Sequence, residues 1–151
     1  MNKILTIISL SFSFLSATII NVPSEFATVQ EGIDAASAGD TVLIAQGTYH
    51  ENLFLEKEIV LASNAINDEL SSEWLLNENI VNTIISAPLE PVNSKYGSCL
   101  VIRNSEELIE PTILGLTFSN GQGTSMRMVD CDDTADKSSK MKAGGAILIF
   151  K

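Results

Sequence analysis

This chain has little with which to do zinc, thiol or phosphate chemistry. A single histidine, His50, and two cysteines, Cys99 and Cys131, stand in its 151 residues. Zinc sites need His and Cys at short fixed spacings, and no such spacing is present. No Gly-rich phosphate-binding motif occurs either. His50 follows Tyr49 with no Ser or Cys nearby in sequence to act with it, and reads as a surface residue. Cations are scarce as well: 9 Lys and Arg against 19 Asp and Glu give a net charge of −10. Without a Lys/Arg cluster to neutralise phosphates, nucleic acid is not an expected partner. A long apolar run is also missing. Ile4–Ala17 is charge-free but falls short of the roughly 20 residues of a membrane-spanning helix.

That run reads as an address. Met1–Lys3 is a short positive start, small residues close the run at Ser16 and Ala17, and Asn21, Pro23 and Ser24 stop it. This is the layout of a secretory signal peptide. The expected organisation is a signal over residues 1–17 and one domain over 18–151. The alternatives are an N-terminal membrane anchor or a strand continuing into Thr18–Val22. The expected location is secreted, periplasmic or cell-surface, with membrane contact only through the signal before cleavage. In such an oxidising compartment a Cys99–Cys131 disulfide is one expectation. Two unpaired thiols, one in a strand and one in a polar loop, are the other.

What is present is a short helix followed by many short strands. Thr28-Val29-Gln30-Glu31 matches a capping box, with Thr28 as N-cap and Glu31 reaching back. Val29, Ile33 and Ala36 fall on one helical face, and Gly39 is expected to end the helix with Asp40 in the turn. Apolar runs rich in Ile, Val, Leu and Thr then recur: 41–45, 53–55, 59–62, 83–86, 99–102, 112–118 and 145–150. Gly and Asn separate them, as in strands and turns. Asn52–Leu55, Cys99–Ile102 and Gly145–Leu148 recur every 46 to 47 positions. They are expected to be equivalent strands on successive coils, with Leu53, Leu100 and Ala146 in line. Two stretches, 64–82 and 122–143, are expected to be loops. The fold expected is all-β: a right-handed parallel β-helix, or solenoid, with a short N-terminal capping helix. Ile147–Lys151 reads as mid-strand, so the chain is expected to be the N-terminal part of a longer β-helix domain. The alternative is an end that pairs with a partner or with a second copy, giving end-to-end self-association.

The residues from Phe26 to Leu61 resemble the N-terminal region of the pectin-lyase-like right-handed parallel β-helix superfamily. The pattern there is T-[IV]-Q-x-[GA]-I-x-A-A, then G-D-x-[IV]-x-[IV], then G-x-Y-x-E. This chain supplies Thr28-Val29-Gln30, Gly32-Ile33-Asp34-Ala35-Ala36, Gly39–Ile44 and Gly47-Thr48-Tyr49-His50-Glu51. Thr83–Ser86, Ile113–Gly121 and Gly144–Phe150 resemble the coils of exported bacterial β-helix proteins. The resemblance implies the fold. It assigns no catalytic residue, because the Gln and paired Asp of the methylesterase coils have no counterpart here, and enzymes and non-enzymes share the architecture.

Three groups remain as candidates. Tyr49, Glu51 and Trp74 are residue types that contact sugars. The alternative for Tyr49 and Glu51 is a structural role in the first coil's turn, and for Trp74 that of anchoring its loop. Asp130, Asp132, Asp133 and Asp136 crowd one stretch, and clustered carboxylates repel unless a cation sits among them. Ca²⁺ is therefore the one cofactor the sequence raises. The EF-hand Gly and closing Glu are missing, and a solvated acidic loop is the alternative. The functional expectation is an extracellular scaffold that contacts polysaccharide or cell-surface glycan, with no catalytic site in this stretch. Its alternatives are the front part of a polysaccharide lyase or pectin-esterase-like enzyme, and a self-associating adhesin.

Overall fold

The computed structural model describes residues 16–69, 74–91, 96–103, 108–128 and 139–150. The segment read as a signal therefore lies outside the described residues, apart from Ser16 and Ala17. In chain order the elements are β1 (Ile19–Val22), α1 (Val29–Ala35), β2 (Thr41–Ile44), β3 (Gly47–Tyr49), β4 (Leu53–Leu55) and β5 (Val60–Ser63). Two 3₁₀ turns (Asn64–Asn67 and Trp74–Leu76) and α2 (Glu78–Val81) come next, then β6 (Thr83–Ser86), β7 (Tyr96–Gly97) and β8 (Leu100–Arg103). The remainder is β9 (Thr112–Leu114), β10 (Thr117–Ser119), β11 (Gly123–Met128), β12 (Ser139–Ala143) and β13 (Ile147–Phe150).

The protein is β-rich, and most of its strands pair in parallel. Among the described residues three sheets are parallel, in the orders β1-β2-β5-β9, β3-β6-β10 and β4-β8-β13. The fourth, β7-β11-β12, is antiparallel. The chain visits the three parallel sheets in the same order three times: β2-β3-β4, β5-β6-β8 and β9-β10-β13. Register follows the sequence repeat. Leu53 pairs with Leu100, and Leu100 with Ile147, an interval of 47 both times. Val42 pairs with Leu61, and Leu61 with Ile113. Alternate residues of a strand face opposite sides, so each register stacks like on like. Val42, Leu61, Leu53, Leu100, Leu55 and Ile85 are fully buried. Burial of each such side chain contributes about 1.5–3 kcal/mol, and these stacks form the core.

α1 forms where the capping box predicts. The Thr28 hydroxyl accepts the Glu31 N–H at 3.2 Å, and the Glu31 carboxylate accepts the Thr28 N–H at 3.1 Å. Val29, Ile33 and Ala36 are buried against the strands. A seven-residue helix is too short to persist alone, and it is held at both ends by residues that flank β4. Glu51 accepts the N–H groups of Val29 and Gln30 at 2.9 and 3.0 Å. Lys57 Nζ donates to the carbonyls of Ile33, Asp34 and Ala36 at 3.1, 2.7 and 2.8 Å. An anion at the first turn and a cation at the last both suit the helix dipole. The lysine also explains a correction. Gly39 does not end the helix. Ala36 does, in an extended conformation, because Lys57 takes the carbonyls that a glycine motif would have satisfied. Gly39 instead forms the next turn at φ +89°, donating to Glu58 O.

Four further expectations change. The run at 112–118 is two strands, broken at Gly115, whose φ is +66°. The third repeat starts one residue late: Ile147, not Ala146, sits beside Leu100. Gly144 (φ +61°) and Gly145 form a bend there, with Gly144 O accepting the Ser98 hydroxyl at 2.5 Å. The stretch 122–143 is not simply a loop, since β11 and β12 pair across it. The stretch 64–82 holds the two 3₁₀ turns and α2. β1 extends the first sheet beyond β2.

Candidate functional site: a pocket beneath Trp74

The segment between β5 and β6 builds a small structure from local hydrogen bonds. Ser63 Oγ accepts the Ala65 N–H at 3.2 Å and opens the first 3₁₀ turn. Asn77 Oδ1 accepts the N–H groups of Asn79 and Ile80 at 2.8 and 3.3 Å, capping α2. This is the usual role of an Asn at that position. The side-chain amides of Asn77 and Asn79 both donate to Asp68 Oδ2 at 2.8 Å. With Asn79 contributing most and Asn77 next, these bonds hold the Asp68 carboxyl below its ordinary pKa.

Long-range contacts tie this segment to the sheets, among them the Gly47 N–H donating to Asn82 O at 2.8 Å. Gln46 Nε2 donates to Asn79 Oδ1 at 3.0 Å, and the Thr117 hydroxyl to Ile80 O at 2.8 Å. Gly115 adds a close approach: a Cβ there would lie 2.6 Å from Ser63 Oγ and 2.8 Å from Ala65 Cβ. Only glycine allows the β9–β10 turn to come so close.

Between segment and turn lies a cavity of about 190 Å³, lined by Ala65, Glu69, Trp74, Asn77, Ile80, Leu114, Gly115 and Leu116. An apolar cavity of ~150 Å³ accommodates benzene, so this one has room for one six-membered ring. Its wall is mostly apolar. The Asn77 amide is already engaged in the cap and with Asp68, which leaves the exposed Glu69 carboxylate as the free acceptor among the described lining side chains, beside the indole N–H of Trp74 as a donor. Trp74 is 52 % exposed. The site can stack a flat apolar ring face on the indole and accept hydrogen bonds at Glu69.

The other sequence candidates lie elsewhere. Tyr49 and Glu51 do not line this cavity. Both carboxylate oxygens of Glu51 accept α1 N–H groups, and the Tyr49 hydroxyl donates to Ala45 O at 3.0 Å. Burial, and after it the Glu51 charge, push the Tyr49 phenol above its usual pKa. Both side chains are thus engaged within the chain, Glu51 at the start of α1 and Tyr49 on the carbonyl four residues before it. His50 is exposed. Cys99 is buried, with its thiol directed at Ser119 O at 3.0 Å. Cys131, Asp130, Asp132, Asp133 and Asp136 lie outside the described residues. Among the described residues no three His, Cys, Asp or Glu side chains gather as a metal site, and no helix is long and apolar enough to cross a membrane.

Sequence reasoning singled out Trp74 but missed Glu69, Ile80 and the 114–116 turn. Asn77 ahead of Glu78 was a readable N-cap signal. The turn arrives from roughly forty residues away, and no local pattern announces it. Compared with protein-family models, curated proteins and solved structures, the chain matches none.

Proposed function

We propose that this chain is part of an exported right-handed parallel β-helix, an extracellular scaffold that contacts saccharide through the pocket beneath Trp74. The ring-sized apolar cavity with one exposed indole and one free carboxylate is the observation that carries the binding reading. The threefold passage through three parallel sheets and the 47-residue register support the coiled architecture.

The export reading has a local consequence at Thr18, the residue before β1. The Thr18 N–H donates to Asp40 Oδ1 at 2.8 Å. Cleavage after Ala17 makes that nitrogen an ammonium, which pairs with the carboxylate more strongly than an amide does. Amino-terminal sequencing of the exported protein is expected to begin Thr-Ile-Ile-Asn. A chain retaining Met1 in the medium or periplasm overturns the cleavage reading.

Trp74 is the only tryptophan, so its fluorescence reports on the site directly. Neutral hexose oligomers are expected to shift its emission with a millimolar dissociation constant. Trp74→Ala is expected to weaken binding measured by calorimetry at least about tenfold. Emission indifferent to neutral, amino and acidic oligosaccharides alike removes the carbohydrate reading.

A further inference from the structure

The third parallel sheet carries a second cavity on the face turned away from the core. Leu53 and Leu55 of β4 are fully buried, while the intervening Phe54 is only partly so and Glu56 is exposed. Alternation therefore sends Phe54 and Glu56 outward together. On β8, Val101 and Arg103 occupy the matching positions. Phe54 pairs with Val101 in register, and two residues further along Glu56 and Arg103 form an ion pair. Tyr96 of β7 stands edge-on to Phe54, with ring centroids 4.9 Å apart at 87°. These five residues line a cavity of about 230 Å³. None of them lines the Trp74 pocket.

The chemistry of this cavity is specific. The side chains of Arg103 and Glu56 are 49 % and 41 % exposed. An ion pair so open to water adds little to stability, and its outward donors and acceptors remain available. A guanidinium offers only donors and a carboxylate only acceptors. Neighbouring hydroxyls on one ring both donate and accept, so a vicinal diol can bond to both partners at once. Phe54 and Tyr96 supply an aromatic wall for the C–H face of that ring. An anionic ligand is disfavoured, because Glu56 already neutralises Arg103 and the chain carries a net charge of −10.

We propose that the cavity between Phe54, Tyr96 and the Glu56–Arg103 pair binds a neutral pyranose unit through a vicinal diol. The site is independent of the Trp74 pocket and selects against uronates.

The test is a titration of the full chain with methyl β-glucoside and methyl β-glucuronide, followed by aromatic ¹H–¹³C NMR. The glucoside is expected to shift Tyr96 and Phe54 resonances with a millimolar dissociation constant, and to bind at least about fivefold tighter than the glucuronide. Arg103→Ala should weaken glucoside binding about tenfold or more, with the circular dichroism unchanged. Glu56→Gln releases Arg103 from its counter-charge and should reverse the preference in favour of the glucuronide, a reversal that a merely structural ion pair would not produce. Trp74→Ala should leave the Tyr96 shifts intact. Silent Tyr96 and Phe54 signals at saturating glucoside overturn the proposal. So do a wild-type preference for the glucuronide, or binding indifferent to both Arg103→Ala and Glu56→Gln.

Discussion

The region around α1 and the segment between β5 and β6 each hold a short helix, and they hold it in opposite ways. α1 is fixed by partners more than twenty residues away: Glu51 at its start, Lys57 at its end, and Phe54, whose backbone C=O and N–H both bond the side-chain amide of Gln30. Its apolar face is buried. α2 is fixed mainly by its neighbours, through Asn77, Asn79 and Asp68, and leaves Val81 46 % and the adjacent Leu76 74 % exposed. The first arrangement makes the helix part of the core. The second makes a self-tied attachment whose aromatic residue stays free. Local hydrogen bonds can shape a site without burying it, and the Trp74 pocket uses that freedom.

If this contrast is right, damage to the core must travel and damage to the attachment must not. The largest effect is expected at Leu100, fully buried between Leu53 and Ile147 in register. Leu100→Ala should cost about 2–5 kcal/mol in urea denaturation, with the circular dichroism and Trp74 fluorescence transitions moving together. A shift in one signal alone would show that strands and attachment do not share a core. Next comes Glu51→Ala, which leaves two N–H groups at the start of α1 without their charged acceptor. A cost of about 1–3 kcal/mol is expected, again in both signals. Glu51→Gln keeps an acceptor and should cost less. Loss confined to saccharide binding, with stability unchanged, would return Glu51 to the role of a ligand contact.

How much of this was legible depended on where the information sits in the chain. The capping box at Thr28 could be read because all of its parts lie within four residues. The 47-residue register could be read because strands lying side by side must repeat their apolar pattern. Its third member was misplaced by one residue, because Gly144 and Gly145 resemble a strand start in composition while forming a bend in fact. The β11–β12 pairing was missed although GTSMRM and SKMKA do alternate, Met126, Met128 and Met141 against Arg127, Lys140 and Lys142, because neither run carries the Ile, Val and Leu by which the other strands were read. Both cavities were beyond the sequence as assemblies. Trp74 was visible as a lone aromatic, but Leu114–Leu116 reach it only through the close approach at Gly115. The Glu56–Arg103 pair depends on a lateral register between positions 47 apart.

The finest test of the contrast is acid titration, where the effects are smallest. Each region has one carboxylate held below its ordinary pKa of 3.8. Asp40 is lowered chiefly by the backbone N–H of Ser37 and then that of Thr18, Asp68 by the amides of Asn79 and Asn77. A carboxylate with a depressed folded pKa stabilises fully above its unfolded value. The contribution disappears as pH falls through the folded value, because the protonated acid gives up its acceptor role. Both groups therefore act in the same window below about pH 4, but on different parts. Protonation of Asp68 loosens only the self-tied segment, so within this window Trp74 emission and the circular dichroism of the strands should follow separate transitions. Asp68→Asn should alter the emission transition and leave that of the strands. Asp40→Asn should leave the emission transition and soften that of the strands, since Thr18, next to the strand from Ile19, loses its anchor. A single acid transition, common to both signals and insensitive to Asp68→Asn, would mean that the attachment is as much a part of the core as α1.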